Sequence, residues 1–154
     1  MNIRFLSSGE KKKLVNELEE RFGIAKLPYL LIESGKSRIR GFSGSLSREE
    51  LVRLSTLVRV EIVGLYLFRK EPFGLRLSVD ALHLLKEQIT SGIIELNDIE
   101  FNVWIRGGNL DYTGEKGVFV IKYKDDFFGC GYATGSKLLN YIPRERQIRS
   151  RVSA

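Results

Sequence analysis

The chain has 154 residues, with 25 Lys and Arg against 19 Asp and Glu, a net charge of +6 and a single cysteine. That length holds one domain or two small ones, and one cysteine excludes an internal disulfide or a cysteine-built zinc site. No apolar run approaches the ~20 residues that span a bilayer, and the opening MNIRFLSSGEKKK turns polar too early for a secretory leader; a cytoplasmic location away from membranes is expected.

Ser7-Ser8-Gly9-Glu10 has the pattern of a capping box, with Ser7 as N-cap and Glu10 reaching back. Leu14, Leu18 and Phe22 recur every four residues with Val15 beside them, which predicts a helix with one apolar stripe, stopped by a left-handed Gly23. Leu27–Ile32 and Ser37–Phe42 read as strands, joined as a hairpin through Glu33-Ser34-Gly35-Lys36. Lys36, Arg38 and Arg40 fall at period two and share one face. That face is either the charged exterior of an edge strand or a secondary basic surface. Ser47-Arg48-Glu49-Glu50 is a second capping box and opens a helix through Leu51, Leu54 and Val58. Val60–Phe68, dense in β-branched and aromatic residues, is predicted as a strand. Arg69–Gly74 breaks the pattern, and a domain boundary is expected at 72/73.

Gly74–Leu77 reads as a short strand. Ser78 caps a third helix, with Leu82, Leu85 and Ile89 facing a core and Gly92 ending it. Ile93–Leu96 and Glu100–Arg106 read as strands and Gly107–Lys116 as a loop. Val118–Tyr123 and Phe127–Ala133 form a hairpin across Lys124-Asp125-Asp126, and Leu138–Ile142 is a last strand before Pro143. Several short strands around one helix predict a small barrel of mixed composition.

Catalytic chemistry is poorly represented. The one histidine, His83, has no partner for a triad or a metal, and a helical histidine packs or points to solvent. Cys130, in Gly129-Cys130-Gly131 on a strand, lacks the cationic neighbour or helix N-terminus of a reactive thiol, so burial is expected. Asp111, Glu115, Asp125 and Asp126 match no calcium loop, and turn chemistry accounts for the aspartate pair. Gly107-Gly108 and Gly129-x-Gly131 fit neither phosphate-cradling fingerprint; alternate glycines on a strand mark a bend or the close approach of another backbone, protein or docked RNA. No catalytic residue, metal or cofactor is assigned.

Charge is segregated. Residues 1–35 carry 6 basic and 5 acidic groups, 36–76 carry 9 and 4, 77–132 carry 5 and 9, and 133–154 carry 5 and 1. Two positive blocks flank an acidic one, a distribution that suits a protein turning one face to polyphosphate. In the last block Lys137, Arg144, Arg146, Arg149 and Arg151 stand against Glu145 alone, next to the hydrogen-bonding Asn140 and Tyr141. The alternatives are a solvated basic tail and a phosphate grip.

The segments GLRLSVDALHLL, NVWIRGG, GVFVIKYKDDFFGCGYA and KLLNYIPRERQIR resemble a PUA domain, the small pseudobarrel of RNA-modifying enzymes and ribosome-biogenesis factors. The ending Lys-Leu-Leu-Asn-Tyr-Ile-Pro-Arg-Glu-Arg is similar to the PUA-like tail of the sun/fmu RNA cytosine-5 methyltransferases. The first half resembles the pre-PUA domain of Nip-type biogenesis factors. The methyltransferase's catalytic domain and its SAM-binding glycine motif are missing from the chain. The resemblance implies an α+β protein, with an N-terminal α/β pre-PUA-like domain at 1–72 and a PUA-like mixed β pseudobarrel at 73–151.

It also implies binding of ribosomal or transfer RNA without catalysis, in ribosome biogenesis and rRNA processing or beside an RNA-modification enzyme. RNA in PUA domains lies against the first helix, the strand entering it and the last strand. That implicates Arg76, Lys86, Lys137, Tyr141, Arg144, Arg146, Arg149 and Arg151, with Tyr141 either stacking on a base or serving the core. The alternative function is an adaptor that docks a separate RNA methyltransferase or assembly factor through the acidic middle block.

Overall fold

The first helix, α1 (Ser8–Phe22), begins where its capping box sets it: Ser7 Oγ accepts the Glu10 N–H and Glu10 Oε1 accepts the Ser7 N–H, each at 3.1 Å. It ends at Gly23, whose φ of +85° provides the left-handed turn. A computed structural model describes residues 4–35, 37–43, 47–57, 64–144 and 147–148, and the chain divides into two units, Met1–Thr90 and Ser91–Ala154.

In the first unit the strands β1 (Arg4–Phe5), β2 (Leu30–Ser34), β3 (Arg38–Phe42), β4 (Leu65–Glu71) and β5 (Gly74–Leu77) form one sheet in chain order. Every pairing is antiparallel, so the helices are additions to a meander rather than crossovers between parallel strands. Between β3 and β4 the second capping box opens α2 (Arg48–Leu57), with Glu50 N–H to Ser47 Oγ at 3.1 Å. After β5, Ser78 Oγ accepts the Ala81 N–H at 3.0 Å and starts α3 (Val79–Leu84), which passes into a 3-10 turn at Lys86–Gln88. Phe5, Ile32 and Leu51 form one apolar cluster with Leu30 and Phe42. The stripe of α1 (Leu14, Leu18, Phe22) is buried, as are Ile39, Phe68, Leu75 and Leu77 of the sheet.

The expected boundary at 72/73 falls inside the β4–β5 hairpin, where Glu71 pairs with Gly74 and Phe68 with Leu77. Pro72-Phe73 is a turn between paired strands, and the division lies at Thr90/Ser91. The strand expected from Val60 is observed from Leu65; Val58 and residues 60–63 lie outside the described residues.

The second unit has a mixed sheet in the order β6-β8-β9-β10-β7, from β6 (Ile93–Glu95), β7 (Leu110–Asp111), β8 (Gly117–Tyr123), β9 (Asp126–Ala133) and β10 (Lys137–Asn140). β6 runs parallel to β8 and the other pairings are antiparallel. The sheet curls like a half-barrel, consistent with the expected pseudobarrel, and with the first unit it makes the protein α+β. The segment expected as a strand at Glu100–Arg106 is instead a helix, α4 (Asp98–Ile105), opened by a capping box between Asn97 and Glu100. The loop expected at 107–116 contains β7.

The helix exists because Trp104 needs a core. Its side chain is fully buried among Leu96, Phe119, Ile121, Ala133, Leu138 and Ile142, and its indole N–H donates to Phe128 O at 2.8 Å. Burying an aromatic of this size contributes on the order of 3 kcal/mol, and the satisfied N–H removes the desolvation cost. Gly131 makes room for it, since a Cβ there would lie 2.7 Å from Trp104 Cη2 and 2.9 Å from Leu139 O. The close approach expected at the alternate glycines is therefore the protein's own core, and that gap is filled by Trp104 rather than open to a docked RNA. Cys130 is buried and in no disulfide, and His83 is exposed on α3.

Candidate nucleic-acid interface

The turn that follows β10 is held by the side-chain amide of Asn140. Asn140 Nδ2 donates to Trp104 O at 2.7 Å and to Gly108 O at 3.1 Å, while its Oδ1 accepts the Ile142 N–H at 2.8 Å. Its own N–H donates to Asn109 Oδ1 at 2.9 Å. Trp104 O, near the end of α4, also accepts the Gly107 N–H at 2.9 Å, so Asn140 adds a second bond to that carbonyl while turning the chain toward Pro143. Asn140, noted in the sequence as a hydrogen-bonding neighbour of the arginines, is committed to this internal role.

Beyond the turn the tail stays attached. The Gln147 N–H donates to Arg144 O at 3.2 Å, Gln147 Nε2 donates to Ile142 O at 3.0 Å, and the Ile148 N–H donates to Ile105 O at 2.8 Å. Arg144 is exposed within a segment that runs against the C-terminal end of α4. That end carries the negative pole of the helix dipole, which favours nearby cations, and Arg106 sits there as C-cap. Tyr141 is half-buried, with its backbone N–H on Cys130 O at 3.1 Å. Arg146, Arg149 and Arg151 lie outside the described residues.

Lys137 lies at the opposite end of β10 and is not gathered with Arg144. Its ammonium pairs with Asp111, directly opposite on β7, and holds the Asp111 carboxyl below the usual carboxylate range. An exposed pair of this kind contributes little to stability. On the far side, Phe101 stacks on Tyr123 at 3.9 Å between ring centres, Phe128 meets Phe101 edge-on, and Lys124 lies 5.2 Å from the Tyr123 centroid. The Tyr123 hydroxyl donates to Asp98 Oδ1 at 2.7 Å, which raises its pKa.

Arg76 and Lys86 belong to the first unit, on β5 and in the 3-10 turn. Arg76 instead joins the secondary basic face. The register pairs Arg38 with Arg69 and Arg69 with Arg76, and directly opposed residues lie on one sheet face. Three arginines therefore form a row across β3, β4 and β5. Arg38 lies 5.2 Å from the centroid of Tyr66, and Glu71 is 3.7 Å from Arg69 and 3.6 Å from Arg76. Arg40, two residues from Arg38, donates to Gly64 O at 3.2 Å. Lys36 lies outside the described residues. Arg69 and Tyr66 were missed in the sequence because Arg69 was read as the start of a linker; the signal for them is the strand register, which needs the β4–β5 hairpin.

Among the described residues, no three His, Cys, Asp or Glu side chains are placed to hold a metal ion, and no helix is long and apolar enough to cross a membrane.

Residues 91–148 match the family described as the methyltransferase RsmF PUA domain. A search of curated proteins found no match. The matched segment begins where the second unit begins and covers less than half of the chain. The second unit is thus a PUA domain resembling the tail of the sun/fmu RNA methyltransferases, and PUA domains are RNA-binding modules. GLRLSVDALHLL, with Arg76, and Lys86 after it precede the matched segment.

Proposed function

We propose that the protein is a non-enzymatic factor that binds structured ribosomal precursor RNA, in ribosome biogenesis or beside an RNA-modification enzyme. The supporting observation is the coincidence of the PUA match with an independent unit whose C-terminal segment is hydrogen-bonded onto α4. That attachment gives the arginines after Pro143 a defined point of departure. Arg144, Arg146, Arg149 and Arg151 hold phosphates at the tail, and Lys137 holds one at the other end of β10. The first unit, with its resemblance to a pre-PUA domain, is consistent with a biogenesis role.

A titration of the full chain against a structured ribosomal RNA fragment at several salt concentrations tests this reading. With five phosphates neutralised, log affinity falls against log salt with a slope of roughly −3.5 to −4.5. Absence of binding at low salt removes the reading; binding unchanged when Arg144, Arg146 and Arg149 become alanine removes the tail from it.

A second reading is an adaptor for a separate RNA methyltransferase. It is favoured by Ile99 and Val103, one turn apart on α4 and 79% and 41% exposed. Capture of a partner from lysate that survives nuclease treatment supports the adaptor; loss of the partner with the RNA supports direct RNA binding.

A further inference from the structure

We propose that the arginine row on the first sheet is a second phosphate-binding surface, which grips the backbone of the same RNA; this rests on the RNA reading above. Three observations carry it. Like charges set directly opposite one another on neighbouring strands destabilise a sheet, yet Arg38, Arg69 and Arg76 are registered in one line. Adjacent strands are ~4.8 Å apart, so the line spans roughly 10 Å of one face. An arrangement that costs folding energy and concentrates cations on one face fits a polyanion that relieves the repulsion on binding.

The second observation is the charge balance. Residues 1–90 carry 16 basic and 11 acidic groups, whereas 91–154 carry 9 and 8. Most of the net positive charge thus lies outside the matched domain. The third is the local chemistry. Tyr66 lies beside the Arg38 guanidinium, a pairing that combines an aromatic face with phosphate donors, as RNA-binding surfaces do. Glu71 stands within 4 Å of both Arg69 and Arg76, and serves as a counter-charge that RNA phosphates displace.

The test uses the full chain and a fluorescein-labelled RNA stem–loop, with anisotropy read over a salt series. Arg38→Gln combined with Arg69→Gln should weaken binding and flatten the slope by about 1.4–1.8. It should leave the thermal midpoint unchanged or raised, since it relieves like-charge repulsion, so lost binding is not lost folding. Arg38→Lys with Arg69→Lys should keep most of the salt slope. Glu71→Gln should tighten binding, an effect that a purely structural ion pair would not give.

Affinity and slope unchanged in the double glutamine variant, while alanines at Arg144, Arg146 and Arg149 weaken binding, overturn this proposal and leave the RNA reading intact. The reverse pattern upholds the row and removes the tail from the interface. No binding by the wild-type chain overturns both.

Discussion

Replacing Asn140 with alanine should unfold the second unit at markedly lower denaturant, although the side chain is small and lies near the surface. It removes two donated bonds, to Trp104 O and Gly108 O, and one accepted bond, from the Ile142 N–H. Each hydrogen bond contributes about 0.5–1.5 kcal/mol, and a partner left unsatisfied costs more. Trp104 O keeps the Gly107 N–H and water reaches the other freed groups in part, which holds the sum to about 2–4 kcal/mol. A unit of this size has a total stability on the order of 3–9 kcal/mol, and its midpoint should fall by roughly 10–25 °C.

The assay is built into the chain: its single tryptophan is Trp104, fully buried in the second unit, so intrinsic fluorescence reports that unit's unfolding. Asn140→Asp separates the bonds further. It keeps the acceptor for Ile142 but turns a carboxylate toward two carbonyls, so at neutral pH it should be worse than alanine. It should recover as acid protonates it. A change within about 0.5 kcal/mol for Asn140→Ala, the range of ordinary surface substitutions, would refute the account of how the tail is held.

Gly131→Ala should destabilise the same fluorescence transition, because the added Cβ meets Trp104 Cη2 at 2.7 Å and Leu139 O at 2.9 Å; overpacking of this kind costs about 1–3 kcal/mol. Acid should loosen the first unit, because Arg4, bonded to both Glu10 and Glu33, holds the Glu10 carboxyl down to about 2 from 4.5. A depressed carboxyl contributes stability above its unfolded pKa, and that stability is lost as pH falls from about 4.5 to about 2. Circular dichroism melts should show this loss in wild type and a weaker pH dependence in Glu10→Gln. Asp98→Asn should bring one tyrosine's alkaline titration to lower pH by absorbance, because the Tyr123 hydroxyl loses its carboxylate acceptor; an unchanged tyrosine titration would exclude that bond in solution.

Local chemistry was legible without the fold. The capping boxes at Ser7–Glu10 and Ser47–Glu50, the Ser78 cap, the left-handed Gly23 and the β8–β9 hairpin are formed by residues within a few positions of one another, and each is observed. The family was legible too, through the KLLNYIPRER tail and the NVWIRGG and GVFVIKYKDDFFGCGYA segments, which lie within the matched residues 91–148. The helix α4 was misread because EFNVWIR is apolar and β-branched enough to be a strand. Its Asn97–Glu100 capping box was the overlooked signal.

What the sequence by itself determined was the set of short-range structures, the charge blocks and the identity of the second unit. Tertiary structure alone decided that Asn140 binds the end of α4 rather than a phosphate, that Lys137 faces Asp111, and that Arg38, Arg69 and Arg76 stand in line. Caps and turns are set by neighbours in the chain. Strand register and the partner of a side-chain amide are set by residues far apart in sequence, brought together only when the two cores close.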